Sequence, residues 1–204
     1  MTRAGFLAAR LTGNEAALMR LSVRLAELHA ELAGCRVALI GNARALAGGR
    51  QGAEIDAHDL VIRINRAPMP SAESHGRRTD WLGLGLALPA ADRAGLAPRR
   101  SLYMPAKRRH LDWATARSPG FYLHPRTEVA RLAATLGAKP TTGALLIDLL
   151  MTAPLAGLDL YGFDFFASQS LSGRRSAAQV PHDFAAEGAW AEALATRDPR
   201  LVLR

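Results

Sequence analysis

The sequence predicts an α/β fold: a single domain on a mostly parallel sheet, preceded by an N-terminal helix. Three observations predict it. The chain of 204 residues suits one domain with one core. Short β-branched and apolar runs are spaced by helical or loop segments. That alternation puts helices on both faces of a sheet whose strands run the same way. No internal repeat or low-complexity linker divides the chain. Residues 1–34 read as the helical segment and 35–204 as the domain.

The elements follow in order. Residues 14–33 read as a helix, with Asn14 as cap, Glu15 in the first turn and Gly34 at its end. Leu18, Leu21, Leu25, Leu28 and Leu32 alternate spacings of three and four, the seam of a heptad. Such a seam packs first against its own domain. A homodimer contact or a peripheral membrane contact comes next. RVALIG (36–41) and DLVIRIN (59–65) read as buried strands. WLGLGLAL (81–88), SLYMP (101–105) and FYLHP (121–125) are further candidates. Helices are expected near 107–117 and 126–137. TTGALLIDLLM (141–151) reads as a helix, LDLYGFDF (158–165) as a strand, and 183–195 as a last helix capped by Asp183.

Composition narrows the function. No run of 18 apolar residues exists, so no transmembrane helix is expected. Arg10 interrupts the short apolar patch of MTRAGFLAARLTG and no cleavage site follows, so the chain reads as not secreted. Cys35 is the only cysteine, which excludes an internal disulfide and agrees with a reducing cytoplasm. The net charge of +8 favours anionic partners. Arg77-Arg78, Arg99-Arg100 and Lys107-Arg108-Arg109 read first as solvated loops, second as an anion-facing surface. Aromatic residues make up only 6%, with no run mixing aromatic and basic residues, so specific nucleic-acid recognition ranks well behind.

Ligands of parallel sheets bind at the carboxyl ends of the strands, where Asn42, Asn65 and the 162–166 segment all fall. Gly41 permits a tight turn and close approach. Asn42 and Asn65 each offer a donor and an acceptor, suited to phosphate, ribose and carboxylate. Thr141 and Thr142 bring hydroxyls and amides to a helix N-terminus, an anion site by geometry and dipole. Each residue also has a structural reading: the asparagines as turn residues, the threonines as caps. His182 either packs before its helix or accepts a proton at neutral pH, and Glu187 suits the helix dipole. His124, ending an apolar run, is the reserve base. GLGL at 83–86 lacks the third glycine of a dinucleotide fingerprint. No phosphate-binding Lys-Ser/Thr loop, metal cluster or Asp-x-Asp is present, so no metal ligands and no cofactor are expected.

Four segments fall in one order: VALIGNARAL (37–46), LVIRINRAP (60–68), PTTGALL (140–146) and HDFAAE (182–187). With GRRTDW (76–81) and LDLYGFDF, they resemble the sialylmotifs of the sialyltransferases, glycosyltransferase family 29, over about residues 35–190. The resemblance implies a GT-A-like variant with a Rossmann-like sheet. It implies inverting, metal-independent transfer of sialic acid from CMP-sialic acid, or of another ulosonate such as Kdo from its CMP form, to a glycan or glycolipid. Carried over, Gly41, Asn42 and Asn65 would hold the CMP part. Thr141, Thr142, Gly143, Tyr161 and Gly162 would line the donor. His182 would be the base and Glu187 its support.

The chain departs from the pattern in three places. Ala43-Arg44 stands where Ser-Gly is usual, and Arg44 would replace the lost phosphate donor. The disulfide that the resemblance implies cannot form, since Cys35 matches one partner but the small-motif side has Ala156-Gly157. No His-aromatic-aromatic-Glu segment lies between Phe166 and His182. A Ser- and Arg-rich loop, SQSLSGRRSAAQ, stands there instead. Together these suggest a bacterial, cytoplasmic relative acting in surface-polysaccharide synthesis, peripheral to the inner membrane. A CMP-sugar-binding protein that lost catalysis is the alternative.

Overall fold

Val37, Ala38, Leu39 and Ile40 are all buried, because helices cover both faces of their strand, β1 (Arg36–Ile40). The computed structural model describes residues 1–164 and 182–204 and builds a seven-stranded sheet around β1. The other strands are β2 (Leu60–Ile64), β3 (Trp81–Leu84), β4 (Arg100–Tyr103), β5 (Tyr122–Leu123), β6 (Gly157–Tyr161) and β7 (Leu201–Leu203). Their order is β5-β4-β3-β2-β1-β6-β7, and every pairing is parallel, so the sheet is wholly rather than mostly parallel. The chain runs outward from β1 to β5, then returns to the other side of β1 with β6. That reversal opens the crevice where such sheets bind ligands.

Period-two alternation sends side chains to two layers. Val37, Leu39, Ile62, Ile64, Leu158 and Leu160 pack under α3 (Leu25–Leu32), α8 (Arg126–Leu136), α9 (Thr142–Met151) and α10 (Phe184–Arg197). Seven of the ten residues of α9 are buried, so this helix is apolar nearly all round. Gly83 lets it approach, since a Cβ there would collide with Leu146. On the other face, Leu82, Leu84, Tyr103 and Leu123 meet α1 (Arg3–Thr12), α2 (Glu15–Met19) and α7 (Trp113–Ala116). Ala38, Ile40, Val61 and Tyr161 meet Ile55 of α4 (Gly52–Asp56). Two short helices, α5 (Ala72–His75) and α6 (Ala90–Leu96), complete the layers.

The predicted helix at 14–33 is broken. Residues 22–23 bind the edge at β5 instead: Val23 N donates to Phe121 O at 2.8 Å, and Leu123 N donates to Ser22 Oγ at 2.9 Å. The helix restarts where Glu27 accepts from Arg24 N at 3.2 Å. The leucine seam is therefore not one face. Leu18 is buried under α1, Leu28 and Leu32 on the opposite side of the sheet, and Leu25 is 40% exposed. The apolar patch of the N-terminus is itself a helix, α1, capped by Thr2 and ended by left-handed Gly13. Residues 107–117 form a 3-10 turn and α7 rather than one helix, and β7 was not foreseen. The strand expected to reach residue 165 ends at Tyr161. Residue 165 and the loop at 168–179 lie outside the described residues.

Candidate active site

Five segments converge at the carboxyl edge, and the contacts among them close a ring. At the end of β1, Gly41 N donates to Tyr161 O at 2.7 Å, and Ala43 N donates to Gly162 O at 3.1 Å. A Cβ on Gly41 would strike the Gly162 carbonyl, so only glycine allows this approach. Phe163 follows, its ring lying against Gly41 on one side and Gly143 of α9 on the other. Thr142, beside Gly143, has its hydroxyl against Gly85. Gly85 N donates to Asn65 Oδ1 at 2.7 Å. Asn65 holds a left-handed φ of 57°, which asparagine tolerates better than most residues. Asn42 Nδ2 donates to Ile64 O at 3.4 Å and closes the circuit. Among the described residues, no side-chain contact occupies the Asn42 oxygen or the Asn65 NH2.

The N-terminus of α9 opens onto the same edge. Thr141 Oγ1 caps it, accepting from Ala144 N at 3.1 Å. The amides of Thr142 and Gly143 have no partner inside the helix and point outward from its positive end. Thr141 itself is committed: its N donates to Glu187 Oε1 at 2.6 Å and its hydroxyl to Glu187 Oε2 at 2.7 Å. Glu187, 4% exposed, therefore pins α9 to α10. Burial pushes its carboxyl pKa up, and the two Thr141 bonds pull against that rise.

His182 stands just before α10, whose cap Asp183 accepts from Ala186 N at 2.9 Å. Its Nδ1 lies 2.7 Å from Lys139 O. A carbonyl only accepts, so Nδ1 carries the hydrogen and Nε2 of the neutral ring holds a lone pair. Burial lowers the pKa of this half-buried ring, with the Lys139 carbonyl opposing. The neutral, proton-accepting form is thereby favoured at pH 7.

The structure gathers Gly41, Asn42, Asn65, Thr141, Thr142, Gly143, Gly162, His182 and Glu187 along this edge. It does not bring Tyr161 there. That side chain is fully buried on the other face of the sheet, edge-on to His58, and burial followed by the Glu54 carboxylate drives its hydroxyl pKa up. Strand parity explains it: Leu158 and Leu160 face α9, so Tyr161 faces away. Arg44 begins an exposed 3-10 turn, and no contact among the described residues ties its side chain to the ring. Ala43 is buried where the resemblance would put a hydroxyl. His124 is buried at the end of β5, with three strands between it and β1, and its pKa is pushed down to about 4 by burial. Gly85 and Lys139 escaped the sequence reading, and Phe163 entered it only as part of the 162–166 segment. The glycine pair of GLGL was the available signal, for packing rather than for a dinucleotide. Cys35 does lie beside its expected partner segment, since Ala156 N donates to Cys35 O at 2.9 Å. Among the described residues no cluster of three or more His, Cys, Asp or Glu side chains could hold a metal ion.

This is the layout of a nucleotide-binding α/β site: a topological reversal, a helix N-terminus and strand-end amides. The model of glycosyltransferase family 29 (sialyltransferase) matches residues 11–116, half of the chain, and the chain belongs to that family. It is accordingly a glycosyltransferase. A mammalian sialyltransferase crystallised with Gal-beta-1-3GalNAc-ortho-nitrophenol superposes with a TM-score of 0.63 at 18% identity, covering 92% of this chain and 83% of that one. A second crystal structure of a mammalian sialyltransferase gives 0.62 at 18% identity, with the same coverage. At that identity the likeness is one of fold. Comparison with curated proteins gave no match.

Proposed function

We propose that this chain transfers sialic acid, or a related ulosonate such as Kdo, from its CMP derivative to a glycan hydroxyl, with inversion and without a metal. The observation that carries the reading is the fixed tautomer of His182, whose Nε2 lone pair stands at the edge that holds the α9 N-terminus. The anomeric carbon–phosphate oxygen bond breaks and CMP departs with the electron pair. The acceptor oxygen bonds to the opposite face of that carbon, and its proton passes to His182 Nε2. Charge growing on the departing phosphate meets the amides of Thr142 and Gly143 and the positive end of α9. Asn42 and Asn65 hold the CMP part from the strand ends. Glu187 supports the site through Thr141, and Arg44, two residues after Asn42, would offer a cation to the phosphate.

Titration calorimetry of CMP, CMP-sialic acid and CMP-Kdo against UDP and GDP tests the donor. CMP compounds should bind and the diphosphates should not. Preference for UDP or GDP refutes the assignment. His182→Ala should keep CMP affinity while losing about 10²–10⁴-fold in transfer, the usual worth of a general base. Activity should survive a chelator, and strict dependence on added magnesium or manganese would point to a different transferase class. No observation favours the alternative of a binding protein without catalysis.

A further inference from the structure

We propose that the exposed apolar ridge of α1, with the basic segment beside it, docks onto an anionic lipid surface and turns the open edge of the sheet toward lipid-anchored glycans. The docking surface stands on its own residues, and only the identity of the acceptor rests on the transfer reading above.

α1 is apolar on two sides. Phe6 and Ala9 are buried, but Leu7 and Leu11, one turn apart, are 38% and 81% exposed, and Met1 is 44% exposed. Ala4 and Ala8 lie exposed beside them. Residues 1–14 contain Arg3 and Arg10 and no acid. The helix lies against the segment PAKRRHL (105–111). Arg10 Nη1 donates to Leu111 O at 3.1 Å, and the Phe6 and Trp113 rings are 5.2 Å apart. In that segment Lys107, Arg109 and His110 are exposed. The neighbouring carboxylates are committed elsewhere: Glu15 pairs with Arg108 and Arg126, and Asp112 caps α7 through Thr115. Leucines flanked by cations are the composition of helices that lie in a headgroup layer.

The position of this surface relates it to the site. Segment 105–111 leaves the carboxyl end of β4. Residues 85–88 leave the carboxyl end of β3, beginning at Gly85 in the ring and ending at Leu88 in the cluster under α1. Between them Leu86 is 48% exposed. The ridge and the site therefore share one edge. A second copy fits less well. A symmetric contact would set this cationic patch, with Arg3, Arg10, Lys107 and Arg109, against a second copy of itself. The few exposed apolar side chains fall short of the roughly 800 Å² per partner that a stable interface buries.

Vesicle flotation of the full chain tests this, with pure phosphatidylcholine against phosphatidylcholine containing phosphatidylglycerol. The wild type should float with the anionic vesicles only, and added salt should release it. Leu7→Glu with Leu11→Glu should lower binding by about tenfold or more. Arg3→Gln, Lys107→Gln and Arg109→Gln should each lower it about fivefold. Circular dichroism and CMP affinity should be unchanged in all of them. The proposal is overturned if the wild type floats with neither or with both vesicle types, or if the double leucine variant floats like the wild type. It is also overturned if ultracentrifugation shows a wild-type dimer that the leucine variant splits. Flotation without any CMP binding would sink the donor reading and leave the docking surface standing.

Discussion

Glu187 offers the most direct test of how the site is held. Its two oxygens accept from Thr141 N and Thr141 Oγ1 at 2.6 and 2.7 Å, and the residue is almost wholly buried. Glu187→Ala removes both acceptors. Hydrogen bonds to a charged group are worth about 1.5–3 kcal/mol each, and a buried donor left unpaired costs about 1–3 kcal/mol. Burial already raises the carboxyl pKa, which offsets part of that gain. A net loss of about 2–4 kcal/mol is therefore expected. Glu187→Gln keeps one oxygen for Thr141 N and no longer buries a charge, so about 1 kcal/mol is expected. Guanidinium denaturation reads this as a lower midpoint at unchanged slope. The alanine variant should also bind CMP about tenfold more weakly, because the α9 N-terminus loses its anchor. Wild-type stability in the alanine variant, or equal losses in both, would refute the clamp.

The clamp also has a pH signature. Glu187 has a folded pKa above its unfolded value of about 4.3, so the native state holds its proton more tightly. This carboxyl's contribution is greatest below the unfolded pKa and is lost as pH rises through the folded one. Glu187→Gln removes that dependence, and the difference in stability between wild type and variant should change across that window.

Three further outcomes follow from the contacts. The acid limb of kcat/KM should fall below pH about 6.5, because burial lowers the His182 pKa and the base stays neutral into mild acid; a limb above 7 would remove His182 from the role. Gly85→Ala puts a Cβ into the Thr142 hydroxyl beside the amide that Asn65 accepts from, so CMP affinity should drop while the unfolding midpoint changes by about 1–3 kcal/mol at most; unchanged affinity would separate Gly85 from the site. Phe6→Ala empties a fully buried position beside Trp113 and should cost about 3–5 kcal/mol; a neutral result would mean that α1 is not docked.

The features legible in the sequence are those fixed by neighbours along the chain. Strand runs such as Val37–Ile40, the Thr141 cap and the Asp183 cap need only local periodicity and side-chain chemistry. The features that were not legible depend on distant partners. The break at residues 22–23 exists because Phe121 and Leu123, about a hundred positions later, offer a sheet edge. Gly85 and Phe163 join the site only through contacts across it. Tyr161 is instructive because the signal was present. Its parity against Leu158 and Leu160 already sends it to the far face, whereas Gly162, at the strand end, turns back to Gly41.

The junction of β1 and β6 shows how the chain does without the cross-link that the resemblance implies there. Cys35 O accepts from both Ala156 N and Gly157 N, at 2.9 and 3.4 Å. Two such bonds contribute about 0.5–1.5 kcal/mol each, against roughly 2–4 kcal/mol for a disulfide. The rest of the junction supplies the remainder. Five consecutive residues of β1 pair with β6, from Arg36 with Gly157 to Ile40 with Tyr161. Beyond them Asp159, buried, takes His58 Nε2 at 2.7 Å and Arg204 Nε at 3.0 Å, tying β6 to the helical side and to the end of β7. These interactions lie directly beneath Gly41 and Gly162, where the ring of site contacts begins. The reversal point of the sheet is therefore held by backbone pairing and by the hydrogen bonds to the buried Asp159 carboxylate, neither of which depends on the redox state of Cys35. Reductant should leave its stability unchanged, whereas Asp159→Ala should loosen it.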